Sequence, residues 1–156
     1  MSDGFDPRRA RLADWLTAAW GIALFAALRA DWFERPEGGV SAWEAFGFVD
    51  LWLLLTAILA VAVPLVAAAR RAPAVPLAVI VVTVTVALLA LVMVLYRLVD
   101  EPGINAEVDL GAGAWIGALC TLGVFVSAAH AVRDERSPGL EPVPEVPVAP
   151  APPKGA

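Results

Sequence analysis

One cysteine, one histidine, one lysine and one tyrosine occur in 156 residues, and each scarcity removes a class of chemistry. Cys120 alone cannot close an intrachain disulfide or build a thiolate zinc cluster. His130 alone excludes a multi-His metal centre and a bis-His haem within one chain. No HExxH helix and no cysteine pair is present, so metalloprotease and quinone-linked disulfide chemistry have no residues to work with. The expectation is a protein that is not an enzyme and holds no cofactor. Charge is scarce too: 17% of residues are Asp, Glu, Lys or Arg, against about 25% in soluble domains. The net charge of −5 argues against nucleic acid, whose phosphates call for a basic face.

What the chain has in excess is apolar surface. Its hydrophobic fraction is 60%, against about 45–50% in globular proteins. A soluble fold of this length could not hide that much, which makes a lipid bilayer the implied partner. Arginine outnumbers lysine ten to one beside abundant Ala, Val and Gly, a bias of GC-rich codons.

A spanning helix needs about 20 mostly apolar residues, and four segments qualify: 12–33, 41–69, 74–99 and 111–132. Backbone groups in hydrocarbon must bond internally, so each should be a helix, even the Val-rich stretch LAVIVVTVTVALLALVMVLY that would suggest a strand in water. The expected fold is all-α: an integral membrane four-helix bundle with a disordered Pro-rich C-terminal tail. Residues 1–11 form an N-terminal segment, 12–136 the four-helix domain, and 137–156 the tail. For the first segment a cleavable signal peptide is the rival. Arg29 crowds its cleavage zone, and no small-x-small site follows.

Cytoplasmic loops collect Lys and Arg. With the N-terminus inside, Arg8, Arg9, Arg11, Arg70, Arg71, Arg133, Arg136 and Lys154 lie on the inner side. Only Arg29, Arg35 and Arg97 lie outside. This places the chain in the cell membrane with both termini cytoplasmic.

The third segment ends in YRLVDEPG, where Arg97 shares a helical face with Asp100 and Glu101. Two readings stand: a snorkelling interfacial anchor, or a bridge clamping outer loops through Asp100 and Glu101 or through Glu44 and Asp50. These five residues are the candidate outer-face charge cluster. The first outer loop carries a turn at Pro36, Gly38 and Gly39, then SAWE, a capping box from Ser41 to Glu44. Trp32, Phe33, Trp43, Phe46 and Phe48 suggest an interfacial aromatic belt or a ledge for lipid or substrate. Asp50 should sit at the outer boundary. Pro64 should kink the second helix. Gly113, Gly117, Cys120 and Ser127 form a small-residue stripe, a candidate helix-packing seam within the bundle or between copies in a homo-oligomer. In the tail, Pro144, Pro147, Pro150 and Pro153 recur every three residues, the period of a polyproline II helix. Such a face docks on aromatic grooves, although a plain spacer needs no partner.

The order SAWEAFGF, then MVLYRLVDEPG, then GAWIGALC, then AVRDE resembles an uncharacterised family of small four-helix integral membrane proteins of actinobacteria. The resemblance covers roughly Trp15 to Glu135. It implies the same four-span architecture and assigns no activity. At the first outer loop this chain has DWFERPEGG in place of an aromatic motif common in that group.

Two functions are carried forward. One is a structural or partner-binding membrane protein, served by a lipid bilayer and a membrane-protein partner. The other is a small transporter or exporter-like subunit acting as an oligomer. The second needs a carboxylate within helix one, but 16–28 has none and Asp14 lies at the inner edge.

Overall fold

The computed structural model describes residues 4–36, 38–69, 74–100 and 109–133. The Pro-rich tail, the Arg70–Arg71 turn, Glu101 and the Pro102–Gly103 stop lie outside these residues.

Four long helices dominate: α1 (Leu12–Ala27), α3 (Phe48–Ala69), α4 (Ala74–Val99) and α5 (Ala112–Arg133). α1 packs on α3 and α5, and α4 packs on the same two helices. Three of them, α3, α4 and α5, are long and apolar enough to cross a membrane. α1, with 16 residues, rises only about 24 Å at 1.5 Å per residue.

The expected continuation of the first helix to Phe33 is wrong. α1 stops at Ala27, and the chain becomes strand β1 (Asp31–Arg35), which pairs antiparallel with β2 (Gly38–Ser41) and β3 (Asp109–Leu110) in the order β2-β1-β3. The fold is therefore mostly helical but not all-α. Gly38, at φ 136°, makes the turn between β1 and β2, a conformation that side chains resist. Phe33 pairs with Val40 on one side and with Leu110 on the other. These strands bond to each other at one end of the helices, so the argument that hydrocarbon forbids open strands does not apply to them.

The second segment also breaks. Ser41 and Glu44 form the expected capping box, but it starts a single turn, α2 (Ala42–Ala45). Phe46 is extended (φ −110°, ψ 144°) and Gly47 follows before α3 begins. The break lets Phe46 turn inward, where it packs edge-on against Trp32 and Phe33 with ring centroids 5.3 and 5.5 Å apart.

The helical body buries many small side chains, with Leu24, Leu53, Val63, Ile80, Val94 and Val124 as larger ones among them, and exposes large apolar side chains outward. Its interior is lined by Ala18, Gly21, Ala57, Ala60, Ala87, Ala90, Gly117 and Ala128, while Leu, Ile, Val and Phe side chains stand exposed on every long helix. Each long helix also buries one threonine completely: Thr17, Thr56, Thr83 and Thr121. Each donates its hydroxyl to the carbonyl one turn back, at 2.7–2.9 Å. The hydroxyl is thereby satisfied without water.

Candidate functional site

The two ends of the helical body carry its polar chemistry. At the sheet end, α1 finishes with a carbonyl, that of Ala27, which accepts from the indole N–H of Trp32 at 2.7 Å. Chain reversal at Leu28–Ala30 folds Trp32 back over the helix terminus, where its indole joins the Ala30 amide, 3.1 Å away, as a second donor to the same carbonyl. The indole then lies on α5, where Gly117 offers the space: a Cβ there would overlap the six-membered ring. Gly111 and Gly113 let the Asp31 and Trp32 backbone approach in the same way. The amide of Gly111 donates to the Trp32 carbonyl at 2.9 Å. Trp32, Phe33 and Phe46 are all buried. All three were expected to stand in an aromatic belt with Trp43 and Phe48. Instead they form an aromatic plug beneath the sheet, while Trp43 and Phe48 are exposed as expected.

Arg97 lies over this plug. Its guanidinium carbon is 5.9 Å from the Phe46 ring centroid and 5.9 Å from that of Tyr96. The acids proposed as its partners are engaged elsewhere. Asp100 accepts from the Tyr96 hydroxyl at 2.5 Å. Glu44 accepts from the Ser41 amide at 3.0 Å and its hydroxyl at 2.9 Å. Asp50 is buried and accepts from the Leu51 amide at 2.7 Å. Among the described residues Arg97 makes no ion pair, so a clamp through Asp100, Glu44 or Asp50 is not what the side chains build. The physical reason is position: the cation faces π-electron density contributed by Phe46, which local sequence spacing does not reveal. The Ser41 amide, and then its hydroxyl, hold the Glu44 carboxyl below its ordinary value.

The stripe of Gly113, Gly117, Cys120 and Ser127 is buried within the chain. Its glycines receive β1 and Trp32, and Ser127 receives α1: its hydroxyl oxygen lies 3.0 Å from Thr17 Oγ1, and its O–H donates to the Gly123 carbonyl at 2.6 Å. These contacts leave that stripe covered by its own chain.

At the opposite end Asp14 is only 1% exposed. One carboxylate oxygen accepts from the Arg11 amide at 2.8 Å, and the other, Oδ1, has no hydrogen-bond partner. The Arg11 guanidinium donates to the Ala131 carbonyl at 3.1 Å, satisfying a C-terminal carbonyl of α5. Asp6 opens the short turn Pro7–Arg9, and its amide donates to the Ala68 carbonyl. The N-terminal segment is thus fastened to α3. Next to this end, between α1 and α5, runs a laterally open groove of about 410 Å³, walled by Leu16, Trp20, Leu119, Leu122 and Val126, with Ser127 and His130 at one extremity.

Sequence reasoning missed Trp32, Phe46 and Thr17 as structural centres. The signal that could have found the first was Gly111, Gly113 and Gly117 read as a cradle for one large ring and its backbone. Comparison with known proteins gives no match among family models, curated proteins or solved structures.

Proposed function

We propose that the chain is a multi-pass membrane protein in which α1, α3, α4 and α5 form a four-helix bundle with both termini cytoplasmic, serving a structural or partner-binding role in the cell membrane. The observation that carries this reading is the outward apolar surface, with Leu, Ile, Val and Phe exposed along three helices of spanning length around an interior rich in Ala, Gly and Thr. Water would penalise that arrangement; hydrocarbon does not. α1 is short, yet the stretch from Arg11 to Trp32 that contains it runs the full height of α5, from Arg11 at Ala131 to Trp32 at Gly111. Twenty residues of α5 rise about 30 Å, the thickness of the hydrocarbon core. α1 together with the turn after it thus has the reach of a span. Arg8, Arg9, Arg11 and Arg133 gather at the Ala68–Ala131 end, and Arg29, Arg35 and Arg97 at the sheet end, in keeping with the inner and outer assignment. Kinship with the small actinobacterial membrane proteins belongs to the same reading.

The test is a pair of alkaline phosphatase fusions. A fusion after Gly38 should be active and one after Lys154 inactive. An inactive Gly38 fusion means α1 does not cross, and an active Lys154 fusion overturns the cytoplasmic C-terminus.

A second reading, a small transporter acting as an oligomer, draws on Asp14. A buried carboxylate with one unpartnered oxygen near the membrane boundary is the kind of group that carries protons or cations. Asp14→Asn should abolish proton-coupled uptake in vesicles if this reading holds. Uptake equal to that of the parent discards Asp14 as the coupling group.

A further inference from the structure

We infer that the groove between α1 and α5 is a site for one anionic glycerophospholipid of the cytoplasmic leaflet, with an acyl chain lying in the groove and the phosphate at a His130–Arg133 rim. This rests on the membrane reading above. The walls, Leu16, Trp20, Leu119, Leu122 and Val126, are apolar, and the volume of about 410 Å³ lies within the range of ligand sites. The Trp20 ring packs directly on Gly123, where a Cβ would meet it, and so forms part of the groove's wall. Its length fits the occupant. From Leu119 to His130 is eleven residues of helix, about 16 Å, close to half of a hydrocarbon core about 30 Å thick. The groove therefore runs the depth of one leaflet, from the basic end to near the midplane.

Among the described residues the free charge at its mouth is that of Arg133 and Arg8. His130 lines the groove and is exposed, and Arg133, also exposed, follows three residues later on the same face of α5. Among the described residues neither is ion-paired. Arg8 is exposed at the same end, on the N-terminal turn. The described acids at this end are engaged: Asp14 is buried and bonded to the Arg11 amide, and Asp6 lies 3.9 Å from Arg9. Arginine forks onto phosphate oxygens and imidazole N–H adds a donor. A zwitterionic headgroup would bring its own cation to a rim already positive, which is why the occupant is anionic.

The full chain, purified in a neutral detergent, is titrated with palmitoyl-oleoyl phosphatidylglycerol, the matching phosphatidylcholine, or inorganic phosphate, and bound lipid is counted by native mass spectrometry. Phosphatidylglycerol should be retained at one per chain, severalfold better than phosphatidylcholine, while inorganic phosphate, lacking a chain, should leave the melting temperature unmoved. Arg133→Gln and His130→Gln should each weaken retention about fivefold. Val126→Trp fills the groove from an exposed position. It should abolish retention while circular dichroism shows the parent's helicity. Equal retention of both lipids, indifference to the two charge variants, or full retention in Val126→Trp overturns the site. So does a lipid-free dimer in which a second copy covers the groove. Carbonate extraction separates the two failures: a chain that stays in the membrane without lipid preference refutes only the site, whereas a chain that washes off refutes the membrane reading.

Discussion

Trp32 does two jobs with one side chain. Its N–H donates to the Ala27 carbonyl, beside the Ala30 amide, and its six-membered ring occupies the space over Gly117. Trp32→Phe keeps an aromatic in the plug but removes one of the two hydrogen bonds to that carbonyl, which keeps the Ala30 amide, a loss of about 0.5–1.5 kcal/mol. Gly117→Ala gains up to about 1 kcal/mol of helix propensity. It also drives a methyl into the ring, and overpacking costs about 1–3 kcal/mol, so the net effect should be destabilising. Phe at position 32 lacks the ring atoms that the new methyl would strike. Gly117→Ala should therefore cost less in the Trp32→Phe background than in the parent, read as a coupling between the two melting shifts. Simple additivity would mean that the ring does not rest on this glycine. Arg97 gives the complementary case. Arg97→Leu should lose about 0.5–1 kcal/mol of cation–π attraction. Because Arg97 has no acidic partner among the described residues, neutralising Asp100 in the same chain should neither rescue nor deepen that loss beyond about 0.5 kcal/mol. Rescue by Asp100→Asn would restore the clamp.

At the scale of elements, the long helices were legible and the sheet was not. Segment 74–99 is α4 to the residue, and 111–132 differs from α5 by one residue at each end. Twenty apolar residues can do little in hydrocarbon except form a helix. The stretch 28–47 resisted because its structure rests on contacts distant in sequence. β1 is held by β3, some seventy-five residues later, and β3 is only two residues long, too short to leave a period-2 pattern. The SAWE cap was legible because it is local, yet what it begins is one turn, since Phe46 gains more from the plug than from extending the helix. The cap has a pH signature. Glu44 is held below its ordinary value by Ser41, so its contribution is present above the usual glutamate range and fades as pH falls through the lowered value. Relative to the intrinsic exchange rate at each pH, protection of the amides at 42–46 should fall on acidification through that window, and Glu44→Gln should remove this fall. Global melting should change little, because the cap is exposed and α2 is short. The stripe on α5 was legible as small residues at helical spacing, but spacing cannot say whether the neighbour is a helix, a second copy or an indole ring.

At the scale of the whole molecule, exposure means opposite things in water and in lipid, and one substitution separates them. Leu88 lies midway along α4 and is 45% exposed. Its neighbour Ala87 is fully buried. If α4 faced water, Leu88→Arg would place a charge where charge is welcome, and surface changes of that kind stay within about 0.5 kcal/mol. If α4 faces hydrocarbon, the same change costs about 2.5–3.5 kcal/mol near the helix centre. Ala87→Ser makes the control, because a buried hydroxyl can bond back to the carbonyl one turn earlier, as Thr83 does to Val79. The expected outcome is a reversal of the rule for soluble proteins. Leu88→Arg on the exposed face should sharply reduce the fraction recovered in carbonate-washed membranes, while Ala87→Ser on the buried face should leave it close to the parent's. Full membrane recovery of Leu88→Arg would mean that the outward leucines meet something other than lipid. In that case the apolar faces of α3, α4 and α5 would have to be covered by protein, since a chain with so much exposed Leu, Val and Ile has no stable form with those faces in water.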